Sequence, residues 1–86
     1  MGEKITFGDL DAILRSFGFV VTEAPGKHRL YRNAERDAAV MLPYLPFDDV
    51  APYFSWGDVR LTLADWGFID HGDFFDIVRK HSRVAS

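Results

Sequence analysis

The chain has 86 residues, 48% of them hydrophobic, with eight Phe, three Tyr, two Trp and no Cys. One domain with a packed core fits that length, a disordered chain does not, and the lack of cysteine removes disulfides and thiolate metal sites, as suits a reducing cytoplasm. The net charge is −3, and no run approaches the ~18 apolar residues of a membrane helix.

The opening "MGEKITFGD" carries charge where a signal peptide needs an apolar run, so a soluble intracellular domain is expected. Met1-Gly2 with Thr6 matches the loose myristoylation pattern, but Thr6 has a better explanation as a helix cap. Residues 6–18 predict an amphipathic helix, because Leu10, Ile13, Leu14 and Phe17 fall at i, i+3, i+4 and i+7. Thr6 followed three residues later by Asp9 resembles a capping box, and Gly18 stops the helix.

Three strand-like runs follow. "FVVTE" (19–23) is β-branched and aromatic, and Ala24-Pro25-Gly26 turns it. "HRLYRN" (28–33) alternates, with His28, Leu30 and Arg32 on one face and Arg29, Tyr31 and Asn33 on the other. Either face satisfies the pleat. After the polar connection 33–37, "AAVML" (38–42) gives a third run ended by Pro43. Connections this short favour an antiparallel three-stranded meander, which needs helices over one face to be stable.

The segment 43–54, with three prolines and four aromatics (Tyr44, Phe47, Tyr53 and Phe54), predicts a loop that crosses the domain. Those aromatics either pin it across the sheet, the favoured reading, or form a partner-binding patch. Ser55 with Asp58 is a second capping pair, starting a helix with Val59, Leu63 and Trp66 on one face and Gly67 at its end. A last helix is expected over about 72–83, with Phe74, Ile77, Val78 and His81 inward. Its Arg79, Lys80 and Arg83 suit the negative end of the helix dipole. The order is α-β-β-β-α-α, an α+β domain with helices on one face of an antiparallel sheet.

Charge is unevenly spread along this frame. Residues 27–36 hold Lys27, Arg29, Arg32 and Arg36 against Glu35 alone, whereas residues 37–76 hold eight Asp against Arg60. A polyanion would meet one favourable strip and a repulsive remainder.

The element order together with "GFVVTEAPGKHRLYR" resembles the HicA-type toxin family, small ribonucleases with a double-stranded-RNA-binding-domain-like fold. The family pattern is a first helix ending in Gly-Phe, a strand, then Gly-Ser-His followed by apolar and aromatic residues. Here Gly18-Phe19 ends the first helix, and Gly26-Lys27-His28 precedes Leu30 and Tyr31. The third strand ends in Leu42-Pro43, where the family commonly continues with any residue and a histidine. The resemblance covers about residues 6–69 of a single domain spanning 1–86. Lys27 stands where serine is usual, Leu45 stands at the second histidine, and the stretch 48–76 is acidic where family members tend to be basic.

The resemblance implies that His28 is the catalytic residue of a metal-independent endoribonuclease acting on mRNA. Imidazole can take and give a proton near neutral pH, and freeing a ribose 2′-hydroxyl of its proton lets that oxygen attack the adjacent phosphorus, which cuts RNA and not DNA. Lys27, Arg29 and Arg32 would hold phosphates, and Gly26 would let the RNA backbone approach closely. A HicB-type antitoxin partner and a cytoplasmic location are implied as well. No cofactor is expected. The alternative is a non-catalytic module on the same fold whose basic hairpin and aromatic loop bind a protein or RNA partner.

Other candidates have plainer explanations. His71 and His81 lie at opposite ends of the last helix, too far apart to share a metal. Asp70, Asp73 and Asp76 suit a helix N-terminus, and Asp48-Asp49 is a loop pair. Trp56 and Trp66 are expected in the core or at its edge.

Overall fold

The computed structural model describes residues 4–81, so the Met1-Gly2 motif and Arg83 lie outside the described residues. The elements are α1 (Phe7–Ser16), β1 (Val20–Ala24), β2 (His28–Asn33), β3 (Ala38–Pro43) and α2 (Tyr53–Asp65). A short 3-10 turn, His71–Asp73, then leads into α3 (Phe74–His81). This is the expected α+β order, with a three-stranded antiparallel sheet in the order β1-β2-β3. Among the described residues, no helix is long and apolar enough to cross a membrane.

Helix α1 starts at a complete capping box. Thr6 Oγ1 accepts from the Asp9 amide at 3.1 Å, and Asp9 Oδ2 accepts from the Thr6 amide at 3.0 Å. Two more donors of the first turn are met by the proline-rich segment, where Phe7 N donates to the Asp49 carbonyl (3.0 Å) and Gly8 N to the Phe47 carbonyl (2.8 Å). A β-carbon at Gly8 would stand 3.1 Å from that Phe47 oxygen, so any larger residue would make the loop give by a few tenths of an ångström. Leu10, Ile13 and Leu14 are fully buried, as their spacing predicts.

Helix α2 corrects the expected start. Its N-cap is Pro52, whose carbonyl accepts from Ser55 N (3.0 Å) and Trp56 N (3.2 Å). Ser55 is buried inside the first turn and caps nothing. The reason is local: proline presets a compatible φ and brings no amide of its own to satisfy, so the helix begins directly after the last proline of the loop. Val59 and Leu63 face the core, but Trp66 falls past the last turn as the C-cap and is 45% exposed, not part of that face. Trp56 does sit at the core edge, stacked on Phe74 and edge-on to Phe75 and Tyr53.

The sheet has one covered and one open face. Tyr31, Asn33, Ala38, Val40 and Leu42 are buried beneath the helices, so β2 turns Arg29, Tyr31 and Asn33 inward. The Tyr31 hydroxyl donates to Asp11 Oδ1 on α1 at 2.7 Å. Burial, and after it this hydrogen bond to Asp11, pushes the Tyr31 phenol well above the usual tyrosine range. Asn33 joins two ends of the fold, donating to the Phe17 carbonyl (2.9 Å) and accepting from Arg36 N (3.0 Å).

Candidate functional site

The β1–β2 connection is Pro25-Gly26-Lys27. Proline supplies the fixed negative φ of a turn's second position, and Gly26 takes the positive φ, 81°, that a type II turn requires at its third. Lys27 also sits in the left-handed region, φ 60°, at a cost of about 1–2 kcal/mol for a residue with a β-carbon. Its carbonyl is held by Tyr44 N at 2.8 Å, which extends the β2–β3 pairing past the strand end. A strained lysine is thus fixed beside the first residue of β2.

That residue is His28, half-buried and paired in register with Ala24 on one side and Pro43 on the other. Its Nδ1 lies 3.3 Å from the Pro25 carbonyl. A carbonyl oxygen only accepts, so the contact favours the tautomer that carries its proton on Nδ1, in which Nε2 is the acceptor. The bond is long and correspondingly weak. An open cleft of about 450 Å³ adjoins the ring, lined by Glu23, Ala24, Lys27, His28 and Tyr44. The arrangement puts a proton acceptor and a cation on one concave surface, open to solvent.

The three arginines of the segment are placed differently. Arg32 shares the open face with His28 and lines a shallow recess with Val20, Thr22 and Ala34. Four residues of strand separate the two, or about 13 Å. Arg29 points to the other side. Its Nη1 donates to the Leu45 carbonyl at 2.8 Å, and its guanidinium lies 4.3 Å from the ring centres of both Tyr44 and Phe47. Arg36 is spent likewise, donating to the Trp66 carbonyl at 2.7 Å and covering Phe68 at 4.7 Å. The continuous strip expected from Lys27, Arg29 and Arg32 is therefore divided: Gly26, Lys27, His28 and Arg32 lie on the turn and the open face, and Arg29 pins the loop.

Glu23 and Tyr44 were not anticipated at the cleft. Hairpin register carries the signal for both, because pairing His28 with Ala24 and Pro43 brings their chain neighbours to the same rim. The aromatic loop divides in two. Tyr44 and Phe47 are pinned by Arg29, whereas Tyr53 and Phe54 are 71% and 70% exposed.

The remaining candidates stay apart. His71 lies in the 3-10 turn and His81 ends α3, while Asp76 pairs with Arg79 Nη1 at 2.8 Å. Among the described residues, no three His, Asp or Glu side chains gather in a way that could hold a metal ion. No known family profile matches the chain, and no curated protein matches it.

Proposed function

We propose that the chain is a metal-independent endoribonuclease of the HicA toxin type, with His28 as its general acid/base. The observation that carries this reading is the free Nε2 of His28 at an open cleft it shares with Lys27, beside a glycine turn. Nε2 takes the proton of a ribose 2′-hydroxyl, and the oxygen attacks the neighbouring phosphorus. The new O2′–P bond forms as the P–O5′ bond breaks. The leaving 5′-oxygen picks up a proton from water in the open cleft, the hydroxide so formed takes the proton back from Nε2, and the ends left behind are a 2′,3′-cyclic phosphate and a 5′-hydroxyl. Lys27 offsets the charge that grows on the phosphoryl oxygens, and Arg32 holds the backbone further along the open face. Arg29 belongs to this site only through the loop it fixes.

The same reading takes mRNA as substrate in a cytoplasm and a HicB-type antitoxin that covers the cleft; the likeness of the fold to a double-stranded-RNA-binding domain belongs to it too. Expression of the chain in bacteria is expected to arrest growth with loss of intact mRNA. His28→Ala is expected to remove both effects, and co-expression of a HicB-type antitoxin to restore growth. Equal growth and RNA integrity with and without His28 would remove the enzyme assignment.

A non-catalytic protein-binding module is the second reading, favoured by one observation. Tyr53, Phe54 and Leu61 leave an exposed apolar stripe on the outside of α2, with Asp58 and Asp65 beside it. A Tyr53→Ser/Phe54→Ser double variant that loses a co-purifying protein, in cells whose RNA stays intact, selects this reading.

A further inference from the structure

The cleft holds an aromatic ring that proton transfer does not require. Tyr44 lines it beside His28 and Lys27, and 48% of the residue is exposed. One face of its ring is occupied by the Arg29 guanidinium, 4.3 Å from the ring centre. That guanidinium is itself fixed, by the Leu45 carbonyl at 2.8 Å and by the Phe47 ring at 4.3 Å. The Tyr44 backbone is fixed as well, through its amide on the Lys27 carbonyl at 2.8 Å. The ring is therefore held from its backbone and by a cation against one face, and it lies on the wall of the cleft.

Such a ring suits a flat, electron-rich ligand. Nucleobases stack on aromatic rings whatever their sequence, because every base has a π-face, and a base can do so only when it is unstacked from its neighbours. Lys27, on the same cleft, is placed for the phosphate attached to that nucleotide. We propose that Tyr44 is the stacking platform for a nucleobase flanking the phosphate at His28, so that the cleft accepts single-stranded RNA and rejects paired RNA. The proposal rests on the ribonuclease reading and adds the strandedness of its substrate and the residue that selects it.

The test uses short 2′-fluoro oligonucleotides, which resist cleavage, carrying 2-aminopurine at each position in turn. They are titrated into the full chain and into Tyr44→Leu and Tyr44→Trp, with a 2′-fluoro hairpin duplex as the paired competitor. The chain is expected to bind the single strand in preference to the duplex and to quench 2-aminopurine at one position. Tyr44→Leu is expected to bind roughly ten- to hundredfold more weakly with the quenching lost, and Tyr44→Trp to retain both. The salt slope should be the same for all three, because the phosphate contacts are untouched. Phe47 still holds Arg29 in Tyr44→Leu, and an unchanged melting temperature verifies the fold. Unaltered affinity and quenching in Tyr44→Leu, or equal binding of duplex and single strand, would overturn the stacking role and leave the ribonuclease reading standing. A chain that binds neither oligonucleotide overturns both.

Discussion

His28 lies against Gly26 so closely that a β-carbon on Gly26 would stand 3.2 Å from the imidazole Nδ1 and 3.4 Å from Cε1. The glycine is needed twice, for the positive φ of the turn and for the seat of the ring. Gly26→Ala is expected to cost about 1–2 kcal/mol in urea denaturation and to push the imidazole off the Pro25 carbonyl. RNA cleavage should fall with it even where the protein remains folded, whereas His28→Ala should abolish cleavage with little change in stability.

Lys27 sets local strain against a charge in the cleft. Lys27→Gly relieves the left-handed strain but loosens the unfolded chain, so stability is expected to stay equal or to rise by up to about 1 kcal/mol. RNA affinity should fall in the same variant. With only Lys27 and Arg32 on the phosphate side, a log–log salt titration on single-stranded RNA should have a slope near −1.4, falling to about −0.7 in Lys27→Gly. A slope near −2 in the unmodified protein would mean that Arg29 also reaches the RNA.

Arg29 serves as a latch on the loop 44–50. Removing it forfeits two ring contacts of about 0.5–1 kcal/mol each and a hydrogen bond of about 1 kcal/mol. Arg29→Ala is accordingly expected to destabilise by about 2 kcal/mol and to open the loop to limited proteolysis. Arg29→Lys should restore little, because an ammonium cannot lie flat between Tyr44 and Phe47 while it reaches the Leu45 carbonyl.

The raised pKa of Tyr31 predicts an alkaline limit. Folding favours the neutral phenol, so its contribution is complete below the unfolded value near 10 and is lost as pH rises through the higher folded value. Above about pH 10 the unmodified chain should lose stability more steeply than Tyr31→Phe, by up to about 1.4 kcal/mol per pH unit. At neutral pH the same variant should be the less stable by about 1.5 kcal/mol, through loss of the hydrogen bond to Asp11. Urea midpoints from neutral to alkaline pH measure both.

Where the sequence carried its own local chemistry, the fold could be read from it. The Thr6–Asp9 box, the third strand ending at Pro43 and the hairpin turn at Pro25-Gly26 each depend on near neighbours, and each forms where expected. Ser55 and Asp58 have the same capping spacing, yet the preceding proline starts α2 first, so spacing alone could not separate the two. The inward face of β2 depended on packing: Tyr31 finds Asp11 on α1, and Leu30 has no such partner. Alternation already set Arg29 and His28 on opposite faces, and packing decided only which of the two faces the helices cover. Tyr44 was legible as a loop aromatic, but its place at the cleft came only from strand register.

The central claim is that Nε2 of His28 removes the proton of a ribose 2′-hydroxyl. The most direct measurement incubates purified chain with a single-stranded RNA and with copies carrying one 2′-deoxy nucleotide at each position in turn, and maps the ends produced. The expected outcome is metal-independent cleavage that leaves a 2′,3′-cyclic phosphate, is blocked by the single deoxy substitution 5′ to the cut, and is absent in His28→Ala. Cleavage that persists through that deoxy nucleotide, or in His28→Ala, would contradict it.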